Sequence, residues 1–257
     1  MIIAIVNHKG GVGKTTTAAS LGAALQEHGR RVLLVDLDPQ ASLTVTFADQ
    51  AHQKTIYHAL LEEGVAVKDT IVPVRERLSL IPSGRDLAAA DLLLAQEADG
   101  DLYLRRTLAP VTKAYDVILL DCPPNLAKLT INALVAADAA LIPLSSSFLS
   151  LKPLGQLLDT IEQVKARRNP SLAILGFLLT RFSRTTLHAA EVEERVREMF
   201  KAKVFTTVIG QSVRFEEAPA VGQTILEYEP SHPGALAYRA VAKEVIHRGK
   251  TRNLTQG

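Results

Sequence analysis

An apolar run at residues 2–6 leads almost at once into Lys9-Gly10-Gly11-Val12-Gly13-Lys14-Thr15-Thr16, and then into helical spacing over 15–26. Gly10, Gly11 and Gly13 open backbone conformations that a Cβ closes, so successive N–H groups can converge on one anion. The helix that follows adds the positive end of its dipole. This order of strand, glycine loop and helix fixes the start of an α/β sheet and gives it a phosphate-sized cradle. Lys14 is placed to neutralise β- and γ-phosphates, and the Thr15 hydroxyl to ligate Mg²⁺. The strict pattern G-x-x-x-x-G-K-[ST] needs glycine where His8 stands. The loop is therefore shifted, and it carries a second cation, Lys9. Two lysines so close repel unless they share a polyanion, and Lys9 can point outward to phosphate held by a second subunit.

The rest of the chain repeats the alternation. Apolar, β-branched runs at 32–35, 78–81, 117–120, 139–142 and 172–179 are separated by longer helical stretches. Non-alternating apolar runs are what strands covered on both faces look like, and their spacing predicts right-handed βαβ crossovers. The expected fold is α/β: a doubly wound, mostly parallel sheet flanked by helices, in a single domain over residues 1–249. Gly29 is expected to close the first helix, Asn169-Pro170 to stop one that starts near Leu151, and 232–248 to form the last. Residues 250–257 read as a polar, basic, frayed tail.

In such sheets ligands bind at the carboxyl ends of strands. Asp36 ends the second run and Asp38 follows it; Asp121 ends the run at 117–120. Asp121 and Asp36 are placed to hold Mg²⁺ directly or through water. Asp38, one step past the metal-facing position, is the better candidate to orient a water in line with the γ-phosphate.

Composition excludes several chemistries. Cys122 is the only cysteine, so one chain can hold no disulfide, thiolate zinc cluster or cysteine-ligated iron–sulfur centre. The seven histidines lack metal-ligand spacing. No run approaches the roughly eighteen apolar residues that span a bilayer, and a cytoplasmic setting fits. Net charge is +2 overall but −3 over residues 1–150 and +5 over 151–257. The basic excess is C-terminal, where Arg184, Lys201, Lys203, Arg214, Lys243 and Arg248 are candidates for neutralising nucleic-acid phosphates.

At NHKGGVGKTT, VLLVDLDPQAS, YDVILLDCPPN, LTINAL (129–134) and VRFEEAPAVGQ (213–223) the chain resembles the ParA/Soj partition ATPases, the deviant-Walker-A branch of P-loop proteins that includes MinD. The resemblance implies ATP and Mg²⁺ as cofactors and the loop 9–16 as the nucleotide site. It also implies a homodimer in the ATP state, with Lys9 reaching the partner's phosphates and Asp38 activating water. The implied partners are non-specific double-stranded DNA, with Arg184 and Arg214 matching DNA-contacting arginines, and a ParB-type centromere-binding protein that stimulates slow hydrolysis. Such a protein is nucleoid-associated. Gly210, Gln211 and Ser212 depart from the Pro-Arg-Asn common in relatives, His8 replaces a common glutamine, and 145–147 is an unusual serine run; these changes are expected to touch partner surfaces more than the hydrolytic centre. Alternatives on the same fold are a ParA-like positioner of another cargo and an ATP-dependent metabolic synthetase. A MinD-like membrane anchor is disfavoured by the polar C-terminus, and an electron carrier by the single cysteine. Because Met1 leads almost directly into the first apolar run, the expectation is of no N-terminal helix-turn-helix like that of larger plasmid relatives and of no direct operator repression.

Overall fold

The computed structural model describes residues 1–47, 54–146, 151–183 and 187–255. Its strands are β1 (Ile2–Ile5), β2 (Val32–Asp36), β3 (Val72–Arg75), β4 (Leu78–Ile81), β5 (Val117–Asp121), β6 (Ala139–Ser145) and β7 (Ala173–Thr180). They form one sheet in the order β3-β4-β2-β5-β1-β6-β7. Every pairing is parallel except β3 with β4. All six expected apolar runs are strands, within a few residues of the bounds the pattern gave.

β3 was not expected. Its sequence, VPVR, contains Pro73, which cannot donate to a ladder, and the pairing shifts register between Pro73 and Arg75. A proline-bearing, half-exposed strand is tolerated only at a sheet edge, and hydrophobic patterning does not announce it.

The helices are α1 (Lys14–Glu27), α2 (Ser42–Phe47), α3 (Ile56–Leu61), α4 (Ala90–Gln96), α5 (Tyr103–Leu108), α6 (Lys128–Ala136), α7 (Leu151–Arg167), α8 (Leu187–Phe200), α9 (Arg214–Ala220), α10 (Ile225–Tyr228) and α11 (Pro233–Thr255). They cover both sheet faces. On β1, Ile3 and Ile5 join the core beneath α1 and α11, whereas Ala4 joins the opposite core with α4 to α7. Both faces are apolar, which is why these strands read as continuous hydrophobic runs. Gly29 follows α1 with φ +74°, as a helix stop requires. α11 continues past Arg248, where the pattern placed its end, to Thr255.

Parallel order brings the carboxyl ends of β1, β2, β5, β6 and β7 to one rim. Asp36 and Asp121 become direct register partners there. Residues 204–210 run beside β7, bridging in parallel at Phe177–Val204 and Phe182–Gly210. They carry the chain from beside the middle of β7 up to the rim.

Candidate active site

The glycine loop joins β1 to α1. Gly11 and Gly13 have φ +72° and +82°, the left-handed region that residues with a Cβ adopt at a cost, and Gly13 is the N-cap of α1. Neighbouring strand ends hold the loop from below. Asn7, 4% exposed, donates from Nδ2 to the Pro143 carbonyl at 2.7 Å and accepts the Lys9 N–H at 2.9 Å. Thr180, the last residue of β7, donates from Oγ1 to the Val12 carbonyl at 2.8 Å. The cradle is thus tied to two further strands.

Lys14 is buried, and its Nζ donates to the Lys9 carbonyl at 3.1 Å. Burial lowers its pKa, while Asp121, Cys122 and Asp38 act to raise it. Lys9 is an exposed residue whose main chain is pinned at both N–H and carbonyl. The two lysines therefore differ in kind: one turned into the site, one set on its outer surface.

A cleft of about 360 Å³ lies over the loop, lined by Gly10, Gly11, Gly13, Lys14, Thr15 and Thr16 together with Asp38, Gln40 and Pro124. Its far wall is Phe215, Ala218 and Thr224. A second cleft of about 260 Å³ adjoins it past Gly13 and Thr16, walled by Arg181, Gly210, Ser212, Phe215 and Tyr238. The departure at 210–212 thus sits on a wall beside the glycine loop. Arg181 has φ +55° and lines both clefts, a conformation that costs energy and often marks a working site.

The two register-paired carboxylates behave differently. Asp36 is fully buried, and both its oxygens are engaged. Oδ2 accepts the Thr44 N–H at 2.8 Å and the Thr44 hydroxyl at 2.7 Å; Oδ1 accepts the Asp38 N–H at 3.1 Å. Burial outweighs these bonds and pushes its pKa up to about 6. Asp121 is also fully buried, yet neither oxygen meets hydrogen-bond geometry with a protein group. Burial first, then the neighbouring Asp36 charge, push its pKa well up, against the pull of Thr15 and Lys14. A buried, unsatisfied carboxylate costs free energy unless a cation or proton meets it. That observation fits Mg²⁺. Among the described residues no group of three or more His, Cys, Asp or Glu could hold a metal ion. Asp121 and Thr15 fit the assignment made from the sequence. Asp36 is held by three hydrogen bonds from Thr44 and Asp38, which leave Oδ1 one further acceptor site, so it shapes the site and its place at the ion is the indirect, water-mediated one.

Asp38 is half-buried on the cleft wall, and its Oδ1 accepts the Gln40 N–H at 3.0 Å. Asn7, Thr44, Ser83, Thr180 and Arg181 escaped the sequence reading. For Thr180 a signal existed, since it ends an apolar run as Asp36 and Asp121 do. Ser83 and Arg181 are brought in by topology alone.

The basic candidates do not form one patch. Arg248 packs its guanidinium 4.1 Å over the Phe205 ring and donates to the carbonyls of Leu175, Lys203 and Val204. It is a structural tie, and the expectation of a phosphate contact is corrected on that ground. Lys201, Lys203 and Lys243 are exposed, the first two near the amino end of β7. Arg214 lies at the opposite end, beside the clefts, and is ion-paired with Glu217 and Glu229. Arg184 lies outside the described residues.

A glycine cradle with a buried lysine, set on the rim of a doubly wound sheet beside an unsatisfied carboxylate, defines a P-loop nucleotide-binding protein. Comparison with known proteins narrows the class. A family model described as an AAA domain matches residues 1–174. The chromosome-partitioning ATPase Soj of Thermus thermophilus is 44% identical over 246 residues, covering 96% of this chain and 95% of that protein. The chromosome partitioning protein ParA of Caulobacter vibrioides is 40% identical over 255 residues, covering 98% and 96%. A solved structure of cobyrinic acid a,c-diamide synthase from Mycobacterium smegmatis, with bound ADP and magnesium, matches at TM-score 0.85 and 36% identity over 97% of this chain and 95% of that one. The chain belongs to the ParA/Soj family of P-loop ATPases. Among the described residues no helix is long and apolar enough to cross a membrane.

Proposed function

We propose that this protein is a partition-type ATPase that dimerises on ATP, binds DNA without sequence preference in that state, and releases it after hydrolysis stimulated by a ParB-type protein. The observation that carries the nucleotide chemistry is the orphaned Asp121 carboxylate beside the Lys14 cradle. Names of relatives such as Soj and ParA support the partition role. Main-chain N–H groups of Gly10, Gly11, Val12 and Gly13, with Lys14, Thr15 and Thr16, hold the triphosphate. Thr15 and Asp121 hold Mg²⁺, which neutralises phosphate charge when bound. Asp38 orients the attacking water. Lys9, exposed on a pinned backbone, serves the phosphates of a second subunit. ATP then closes a dimer through contacts that ADP cannot make, and nucleotide state becomes DNA affinity. Lys201, Lys203 and Lys243 are exposed and supply phosphate contacts; Arg214 joins them if DNA displaces its carboxylate partners.

The test is sedimentation and DNA binding of wild type, Lys9→Ala and Lys14→Ala, each with ATP and with ADP. Both variants should lose the ATP-dependent dimer, and wild-type DNA binding should weaken steeply with salt. Equal DNA affinity in ATP and ADP, or a Lys9→Ala protein that dimerises and is stimulated normally, overturns the scheme. Similarity to a structure named as a synthase favours one rival, an ATP-dependent metabolic enzyme. That reading predicts turnover raised by a small metabolite and indifferent to DNA with a ParB-type protein.

A further inference from the structure

A closed ring of hydrogen bonds, buried at Thr44 and part-buried at Asp38, surrounds the main chain of Asp38. Ser83, in the segment after β4, donates from Oγ to the Asp38 carbonyl at 2.8 Å. The Ser83 N–H donates to Thr44 Oγ1 at 2.9 Å. Thr44 donates its hydroxyl and its N–H to Asp36 Oδ2, and Asp36 Oδ1 accepts the Asp38 N–H. Thr44, Ser83 and Asp36 are 8%, 6% and 0% exposed. The ring thus joins β2, the start of α2 and the end of β4 around one residue.

Two details show that the ring does more than satisfy its acceptors. The Asp38 carbonyl already accepts the Ala41 N–H at 2.8 Å, and Asp36 Oδ2 already accepts the Thr44 N–H. Neither acceptor needs the hydroxyl to avoid being orphaned. A second donor on a satisfied acceptor fixes direction. The turn it fixes is also strained: Ala41, a residue with a Cβ, is held at φ +54°, a conformation that persists only where its surroundings over-determine it.

We infer that Ser83 and Thr44 are positioning residues for Asp38, locking the turn 38–41 so that its carboxylate faces the cleft at a fixed angle. The inference rests on the assignment of Asp38 as the water-orienting group. A group that aligns a water must be held to within roughly half an ångström, and side chains one layer back commonly supply that precision. Neither hydroxyl lines the cleft. Both should therefore act on turnover and leave nucleotide binding alone.

The experiment measures kcat and KM for Mg·ATP, affinity for a fluorescent ATP analogue, and urea stability, in Asp38→Ala, Ser83→Ala, Thr44→Val and Thr44→Ser. Ser83→Ala and Thr44→Val should lower kcat about tenfold with KM and analogue affinity within about twofold, the size of a lost positioning contact. Thr44→Ser, which keeps the hydroxyl, should restore most of kcat. If kcat falls only in step with analogue affinity or stability, or if Thr44→Ser is no better than Thr44→Val, the ring is a plain structural cap and the inference fails. Wild-type kcat in both Ser83→Ala and Thr44→Val, with Asp38→Ala inactive, sinks the ring alone; an active Asp38→Ala sinks the assignment beneath it. Should Ser83→Ala fail to fold, the Thr44 pair decides by itself.

Discussion

Gly13→Ala and Gly10→Ala, two changes of one methyl in the same loop, should part company. Gly13 sits at φ +82° and an added Cβ meets only Thr180 Cβ at 3.9 Å, an ordinary contact. The penalty is therefore conformational: an L-residue in the left-handed region costs about 1–2 kcal/mol. Alanine also restricts the unfolded chain, which returns about 0.4–1 kcal/mol where the native conformation is compatible. The net expectation for Gly13→Ala is a loss of about 0–1.6 kcal/mol, centred on about 0.8, obtained by setting these two ranges against each other. Gly10 lies outside the left-handed region, and its added Cβ would stand 4.0 Å from Pro124 Cβ. It should be neutral or gain a few tenths of a kcal/mol, from the same unfolded-chain effect. Urea unfolding without nucleotide reads the difference directly; with a slope of about 1–3 kcal/mol per molar, the midpoints should separate by several tenths molar. ATP affinity should fall at least about tenfold in Gly13→Ala, because relaxing that turn disperses the N–H groups that converge on phosphate. If Gly10→Ala costs as much as Gly13→Ala, the left-handed turn is not what the glycines supply, and the account of the cradle is wrong.

Asp121→Asn removes a buried charge whose burial outweighs the pull of Thr15 and Lys14, so the nucleotide-free protein should resist urea better than wild type, while calorimetric titration shows the Mg²⁺ dependence of ATP binding lost. The Asp36 carboxyl, pushed up to about 6 from its ordinary value near 3.8, is charged less readily folded than unfolded, so its contribution to stability of the nucleotide-free protein declines as pH rises from about 4 to about 6. The decline is on the order of 3 kcal/mol at 1.36 kcal/mol per pKa unit, and urea midpoints across that window should flatten in Asp36→Asn. Arg248→Ala should destabilise by about 1–3 kcal/mol through its lost carbonyl partners, yet leave the salt dependence of ATP-state DNA binding unchanged. Lys203→Ala should keep its stability and reduce the slope of log affinity against log salt by about 0.9; the reverse pattern would restore Arg248 as a DNA contact.

Much of this molecule is written locally. Short-range rules place the cradle between β1 and α1, because glycines, lysine and helix start are neighbours in the chain. Period and β-branching give six strands, because a strand covered on both faces has no polar side to show. The edge strand β3 is hidden because its pairing depends on position in the sheet and not on hydrophobicity. The same divide runs through the site. Asp36 and Asp121 look alike in sequence, each a carboxylate ending an apolar run. Only their surroundings separate them: α2 brings Thr44 onto Asp36, and nothing comparable reaches Asp121. Arg248 reads as a solvated charge until α11 lays it against Phe205 and three carbonyls. Local order along the chain determined that this protein has a phosphate cradle, a second lysine and acidic strand ends. The parallel sheet decided which carboxylate is left for a cation and which arginine is spent on the fold, because burial and hydrogen bonding are set by residues far away in sequence.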